Sequence, residues 1–157
     1  MISITTLIRG TRLFGRDMSR VRVLEQGNAI EYTYVPFERR LYIYADIKGE
    51  TRNYYTNIVF FNVRSASRGK IVDTDVGDRV KIAKMNTRKR VQVRCSCPDY
   101  RWTFAYPNGL KGSLHGKPFP PYTPTGMREP RNPEQIPGLC KHLLRLVATL
   151  KRKGFLA

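Results

Sequence analysis

Apolar and polar residues alternate through much of the segment from residue 29 to residue 97, which predicts a β-rich region. Five stretches there carry β-branched or aromatic residues with a partial period of two, the pattern of strands with one buried face. Turn-forming residues separate several of these stretches, at 48–50, 67–69 and 75–78. An antiparallel meander is the simplest sheet for strands so close in sequence. The predicted strands are residues 29–35, 40–47, 54–63, 79–84 and 90–96.

A helical period replaces this alternation between residues 139 and 153. The apolar side chains fall on one face and the basic side chains on the opposite face, which predicts an amphipathic helix. The basic run at 151–153 complements the negative end of a helix dipole, and Gly154 suits the helix end. We expect the apolar face to cover the sheet, with a helix lying on a membrane surface as the alternative. The apolar positions are Leu139, Leu143, Leu146, Val147 and Leu150.

Two segments lack a clear period. Residues 1–28 are basic, and their pattern is compatible with an arm, a strand or a helix. Residues 98–139 contain nine of the ten prolines and five glycines, which predicts a long irregular loop, extended as polyproline II at 119–124. The aromatic residues of this loop indicate that it packs against other parts of the chain or against a partner, and a disordered insert is the alternative.

The candidate chemistry lies in two short clusters that contain all three cysteines and one of the two histidines. Cys95 and Cys97 form a C-x-C pair at the end of the last predicted strand, where positions i and i+2 face the same side. Cys140 and His142 form a C-x-H pair at the predicted helix start, after 42 intervening residues. Tetrahedral Zn²⁺ prefers sulfur and nitrogen donors of this kind, so the pattern predicts a structural zinc site. Three alternatives stay open: cysteines buried as small apolar side chains, a disulfide, and His115 as the fourth ligand.

The two pairs resemble the SWIM zinc finger, a family with C-x-C on a strand and C-x-H opening a helix. Over residues 88–153 the chain matches the family's ligand positions, a following Pro98 and an apolar run after the histidine. The matching ligands are Cys95, Cys97, Cys140 and His142. The stretch between the pairs is longer than is usual in the family, which leaves the role of that loop open. The family is described as a DNA- or protein-binding module. The phrases CSCPDYRWTFAYP and RNPEQIPGLCKH are similar to small SWIM-bearing proteins of tailed bacteriophages, which implies a place in a virion.

These patterns together predict the α+β class, with an antiparallel β-rich domain, a zinc-pinned Pro-rich loop and a C-terminal amphipathic helix. A basic N-terminal arm and the β-rich region occupy residues 1–87. The zinc-binding region occupies residues 88–157 and contains the Pro-rich insert 98–139. A length of 157 residues suits one compact unit.

Charge points to the kind of partner. The formal net charge is +17, from 29 basic and 12 acidic residues. Residues 79–98 contain seven basic residues and no acid, and residues 141–157 contain five basic residues and no acid. A zinc ion would bring these two segments together into one positive face. Such a face would attract nucleic acid, an acidic protein surface or anionic lipid, and a basic surface kept for solubility is the alternative. The residues expected to contact the partner are Arg79, Lys81, Lys84, Arg88, Lys89, Arg90, Arg94, Lys151, Arg152 and Lys153.

Two functions follow from these expectations. We expect no enzyme, because four protein ligands leave the metal no open position and the sequence has no catalytic zinc motif. The resemblance favours a virion component of the tail, baseplate or neck that contacts acidic subunits; the alternative is a protein that grips DNA or RNA phosphates. We expect no membrane partner and no small-molecule substrate. Reduced cysteines and no secretory signal predict synthesis in a reducing cytoplasm. The phage resemblance implies that this is the cytoplasm of a bacterial host. No run of ~20 apolar residues predicts a membrane-spanning segment.

Overall fold

One six-stranded β-sheet organises the structure, a computed structural model that describes residues 1–122, 126, 129 and 131–157. Three α-helices accompany the sheet, so the predicted α+β class is confirmed for this part of the chain. The helices are α1 (Ile4–Leu13), α2 (Ala105–Leu110) and α3 (Lys141–Arg152), and a π-helical turn (Tyr100–Phe104) precedes α2. The strands are β1 (Ala29–Val35), β2 (Arg40–Lys48), β3 (Asn53–Phe60), β4 (Ser65–Thr74), β5 (Arg79–Ile82) and β6 (Val91–Cys95).

The strands follow the order β5-β4-β1-β2-β3-β6, which makes the predicted simple meander wrong. After β3 the chain crosses to the free edge of β1, where β4 pairs in parallel over a short register, and β6 takes the free edge of β3. The other neighbouring strands are antiparallel. Only Val72 and Thr74 are buried among the ten residues of β4. β4 is thus largely exposed although it lies between β5 and β1, whereas the edge strand β6 buries Val91, Val93 and Cys95.

The hydrophobic core lies on one face of the sheet. Alternate residues of β2, from Leu41 to Ile47, are almost fully buried, as the period of two requires. The apolar face of α3 belongs to the same core, so the prediction that this helix covers the sheet is confirmed and a membrane-surface helix is overturned. Each fully buried Leu or Val side chain stabilises the fold by about 1.5–3 kcal/mol relative to leaving it exposed. No helix in the described ranges is long and apolar enough to span a bilayer.

Residues 1–28, whose structure the pattern left undecided, begin with helix α1. The Ser3 side chain caps this helix by accepting a hydrogen bond from the backbone N–H of Thr6, at 3.2 Å. Ile4 and Leu7 enter the core from its inner face. The hydroxyl of Thr5 donates to the carbonyl of Thr87 at 3.1 Å, which fixes the helix beside the chain segment that enters β6.

The first part of the Pro-rich segment is ordered, so the prediction of one long irregular loop is wrong there. The chain is helical from Pro98 to Leu110, because a proline in the first helical turn needs no N–H donor. The chain then returns to the edge of β6, where the Val93 amide donates to Ser113 O at 2.8 Å. Within the predicted polyproline segment, residues 119–122 have no helix or strand, and residues 123–124 lie outside the described residues. The Phe119 ring packs on the Arg94 guanidinium, 4.3 Å from its centroid, which supports the expectation that the loop packs down.

Candidate metal centre

Four buried side chains converge between the end of β6 and the start of α3. One donor atom from each lies within 4.8 Å of every other, and the Cys95 Sγ to His142 Nδ1 distance is 3.8 Å. In a tetrahedral zinc site with bonds of about 2.3 Å to sulfur and about 2.0 Å to nitrogen, neighbouring donors lie about 3.6 Å apart. The cluster therefore has the size and the donor set to hold a metal ion, and its members are the four predicted ligands, Cys95, Cys97, Cys140 and His142.

The two cysteines of the C-x-C pair reach the cluster from different local structures. Cys95 is the last residue of β6 and pairs with Thr56 of β3. Cys97 lies beyond the strand, in the turn that leads into the helical segment at Pro98, and the Tyr100 amide donates to its Sγ at 3.3 Å. The prediction that both cysteines share one strand is therefore wrong in detail, because the strand ends before Cys97.

The C-x-H pair opens α3 as the sequence predicted. Cys140 precedes the first helical residue with an extended backbone, at φ −75° and ψ 171°, and its carbonyl accepts the Leu144 amide at 3.0 Å. His142 follows in the first turn. The ring of Tyr54, from β3, packs against the His142 imidazole with 4.5 Å between centroids and 33° between planes. This contact restricts the imidazole orientation and was not evident from the sequence.

A buried amide clamps the chain just before Cys140. The side chain of Asn108 donates to the Gly138 carbonyl and accepts from the Gly138 amide, both at 3.0 Å, and it also donates to the Tyr100 hydroxyl at 2.9 Å. One residue later the Leu139 amide donates to Thr11 Oγ1 at 2.9 Å. These bonds join α1, the end of α2 and the approach to α3. Their residues carry no motif, so sequence reasoning missed them.

Gly138 is required at this position by space. A side-chain Cβ built there would lie 2.6 Å from a ring carbon of Phe104 and 2.9 Å from Thr11 Oγ1, closer than real Cβ contacts come. The tight approach lets the Asn108 amide bond the backbone on both sides of the glycine. The close packing at Gly138 therefore fixes the position of the chain just before Cys140.

The pKa values of the thiols in the cluster shift in opposite directions. Burial raises the pKa of Cys140 well above its ordinary value, because a thiolate is poorly solvated there. Hydrogen bonds from Cys140 and then from Cys95 lower the pKa of Cys97. The raised pKa of Cys140 disfavours its thiolate, and the lowered pKa of Cys97 favours its thiolate. A bound cation compensates the charge of further thiolates, so metal binding releases protons from the cluster.

The positions of these residues decide two of the alternatives. His115 lies outside the cluster: its ring contacts Tyr42, with 6.1 Å between centroids, and its amide donates to Val93 O at 3.0 Å. Tyr42 is on the face of the sheet opposite the core, so His115 cannot be the fourth ligand. The three cysteines are free, which overturns the disulfide.

The predicted basic residues are spread over several surfaces. Arg79 and Lys81 are on edge strand β5, and Arg94 is on the opposite edge strand β6. Arg94 stabilises the fold, because its guanidinium donates hydrogen bonds to the carbonyls of His115 and Lys117 at 3.0 and 2.8 Å. Arg79 faces Asp73 at 3.4 Å in an exposed ion pair, while Arg88 and Arg90 are exposed next to the start of β6.

The two basic segments meet away from the metal cluster. The exposed residues 151–153 lie at the far end of α3, about 18 Å along the helix axis from its start. Beyond them the Met85 amide donates to Phe155 O at 2.9 Å, and the Ala157 amide donates to Met85 O at 2.8 Å. The backbone pairing of the C-terminal residues, rather than the metal ligands, therefore brings residues 151–153 close to the segment that contains Lys84.

Comparison with known proteins adds no assignment: no protein-family model, curated protein or solved structure matches this chain. The chemistry of the centre therefore follows from its donors. Three sulfur atoms and one ring nitrogen, all buried and all contributed by the protein, can surround one metal ion on four sides.

Proposed function

We propose that this chain is a zinc-stabilised, non-enzymatic binding protein with an anionic partner. The observation that carries the proposal is the buried set of three thiols and one imidazole. Sulfur-rich tetrahedral sites favour zinc among the common divalent ions, and zinc has no geometric preference that this cluster would strain. Four protein ligands complete the coordination, so the ion acts in folding rather than in chemistry on a substrate.

The relation to the SWIM zinc finger is part of this proposal. Its support is the position of the pairs, with Cys95 ending a strand and Cys140 immediately before a helix. The long insert between the pairs folds back on the ligand-bearing elements through α2 and Asn108. An insert that packs in this way is compatible with the short spacing that the SWIM pattern requires at each end.

The first candidate partner is another protein subunit, as expected for a virion component of a tailed phage made in its host's reducing cytoplasm. Two turns at the same end of the sheet present exposed apolar side chains, Phe37 at 99% and Val76 at 74% exposure. Large apolar residues at turn tips are suited to anchor an interface. The +17 charge would direct these anchors to an acidic subunit in the tail, baseplate or neck.

The second candidate partner is nucleic acid. A depression near the start of β6 gathers four cationic side chains and contains no acid among its described lining residues. Exposed aromatic rings are also present: Tyr55 is half exposed and stacks on Tyr44, with 6.0 Å between centroids. Cations that contact phosphates and rings that stack on bases are the two components of single-strand binding.

The test compares two polyanions on the zinc-loaded protein. Fluorescently labelled DNA, single- and double-stranded, and labelled poly-glutamate are titrated at several salt concentrations. A log affinity for DNA that falls steeply with log salt supports phosphate binding and the nucleic-acid candidate. Preference for poly-glutamate supports the assembly candidate, which a search for the chain in purified particles then tests. Binding of neither polyanion near 0.15 M salt would overturn the proposal of an anionic partner.

A further inference from the structure

The end of the sheet opposite the metal centre carries an open depression of about 350 Å³. It lies past the end of β3 and before the start of β6, where Phe60 pairs with Val91, whereas Cys95 is at the other end of β6. Three chain segments form its wall: the β1–β2 turn, the residues after β3, and the connection from β5 to β6. Its polar lining consists of Arg39, Asn62, Arg64, Lys84, Asn86 and Lys89.

Backbone hydrogen bonds hold the three segments in place. The Val63 amide donates to Arg39 O at 2.8 Å, and the Ala83 amide donates to Arg64 O at 2.9 Å. Arg39 and Asn62 both adopt left-handed backbone conformations, with φ of 55° and 56°. Such conformations are unfavourable for residues with a side chain and persist where the surrounding structure fixes them. The backbone segments that carry the cations of the depression are therefore held in fixed positions.

Positive charge in the depression is not compensated within the described chain. None of the described lining residues is acidic, and the three ion pairs among the described residues involve none of its four cations. Glu38 neighbours Arg39 in sequence, but its carboxylate accepts from the Tyr42 hydroxyl at 2.9 Å and lies 3.6 Å from Arg40. An anion from outside the chain is the remaining source of compensation.

Lys89 is the best-fixed cation of the group. It is partly buried, and its Nζ donates to the Asn62 carbonyl at 2.6 Å, so the ammonium is held at one point of the wall. Burial, and secondarily the charge of Arg64, lower the pKa of Lys89. Like charges held near each other in this way are a feature of anion sites, because a bound anion removes their repulsion.

We propose that this depression binds a phosphate group, such as one phosphodiester of a nucleic-acid backbone. Arginine presents a planar fork of donors that matches phosphate oxygens, and lysine adds a compact charge. Donors from three segments approach from different sides, which suits the oxygens of a tetrahedral phosphate better than a planar carboxylate. The inference rests on the proposed anionic partner and adds Arg39 and Arg64, which the sequence analysis did not select, to Lys84 and Lys89.

The first experiment titrates the zinc-loaded full chain with inorganic phosphate at constant ionic strength. Backbone ¹⁵N–¹H shifts of Ala83 and Asn86 report the depression, and Arg64→Gln is compared with Arg52→Gln. Arg52 is exposed in the β2–β3 turn at the metal end, so both variants remove one exposed positive charge. We expect saturable shifts in the wild type and in Arg52→Gln. We expect about tenfold weaker phosphate binding in Arg64→Gln, the scale of one charge-assisted hydrogen bond.

The second experiment measures the affinity of the same variants for a short labelled DNA strand and for labelled poly-glutamate. A selective loss of DNA affinity in Arg64→Gln supports a backbone phosphate as the occupant, and a phosphate effect without a DNA effect indicates a free phosphate. Equal effects of the two variants on phosphate, no shift at the depression, or stronger shifts with poly-glutamate would overturn the inference. DNA binding that is untouched by Arg64→Gln, together with equal phosphate binding by the two variants, would leave the proposed function standing while contradicting this site. Absence of all macromolecular binding would contradict the function instead.

Discussion

Each end of the β3–β6 strand pair carries a cluster of chemically similar side chains. One cluster is buried and the other is open to solvent. At one end three thiols and an imidazole are buried, and the pKa of Cys140 is raised because its charge is poorly solvated. At the other end four cations surround a depression that is open to solvent. We propose that a cation inside the fold completes the buried group and that an anion from outside the chain completes the open group. In this proposal solvent access, rather than charge alone, separates the residues that stabilise the fold from those that bind a partner.

Removal of the metal ligands is expected to have the largest effect. Zinc binding is worth on the order of 10 kcal/mol in zinc-finger peptides, so His142→Asn should lose the ion and much of the stability of the C-terminal region. His115→Asn is the matched control, because His115 lies on the opposite face of the sheet. Metal content and the thermal midpoint by circular dichroism distinguish the two. Equal metal content in both variants would contradict the assignment of the centre.

A methyl group added beside the centre should have the next largest effect. Gly138→Ala places a Cβ against Phe104 and Thr11 and should destabilise the zinc-loaded protein by about 1–3 kcal/mol. Gly109→Ala is its control, because a Cβ there meets only Leu114 at an ordinary 3.5 Å. Urea denaturation of both variants measures the difference. Similar midpoints for the two would show that the approach of Gly138 to Phe104 is not tight.

The contact between Tyr54 and His142 should contribute less. Tyr54→Leu removes an aromatic pair and should lower stability by about 1 kcal/mol, with faster loss of zinc to a chelator. Tyr55→Leu changes the neighbouring residue on the open face, and we expect less than about 0.5 kcal/mol from that exposed position. Chelator competition at fixed pH reports both variants. Identical zinc-release rates would show that the Tyr54 ring does not restrain the imidazole.

Substitution of a single exposed arginine, at the depression or at the metal end, should have the smallest effect on stability. Arg64→Gln and Arg52→Gln should each change the free energy of unfolding by less than about 0.5 kcal/mol, because both positions are exposed. Only Arg64→Gln should alter phosphate binding. A loss above about 1 kcal/mol in Arg64→Gln alone, measured by urea denaturation, would mean that this end also serves folding. The distinction between the two ends would then fail.

Several elements of the fold and the metal ligands could be predicted from the sequence, because their residues form patterns within short segments. The alternation in β1 and β2, the helical period of α3 and the four metal ligands are properties of short segments. β4 was missed because it is largely polar and exposed, and its parallel pairing with β1 depends on a crossover that no local pattern encodes. The helical start of the Pro-rich segment does not follow from composition, because proline generally disfavours helices, although Pro98 stands where a helix tolerates it.

Sites assembled from segments that are distant in sequence could not be predicted from local patterns. Arg39 and Arg64 join Lys84 and Lys89 only because turns at the same end of the sheet lie side by side. The run from residue 79 to residue 94 looked continuous in sequence, but the sheet order sends β5 and β6 to opposite edges. Asn108 likewise acts on Gly138 through tertiary contact alone. Such residues become recognisable only when the strand order is known.

X-ray absorption at the zinc edge, with metal content measured on the same protein, tests the central claim most directly. The account predicts one zinc per chain, with three sulfur neighbours at about 2.3 Å and one nitrogen at about 2.0 Å. It also predicts that His115→Asn leaves this spectrum unchanged and that a strong chelator unfolds the C-terminal region. Protein that retains its fold and thermal midpoint after complete metal removal, or a metal held mainly by oxygen, would contradict it.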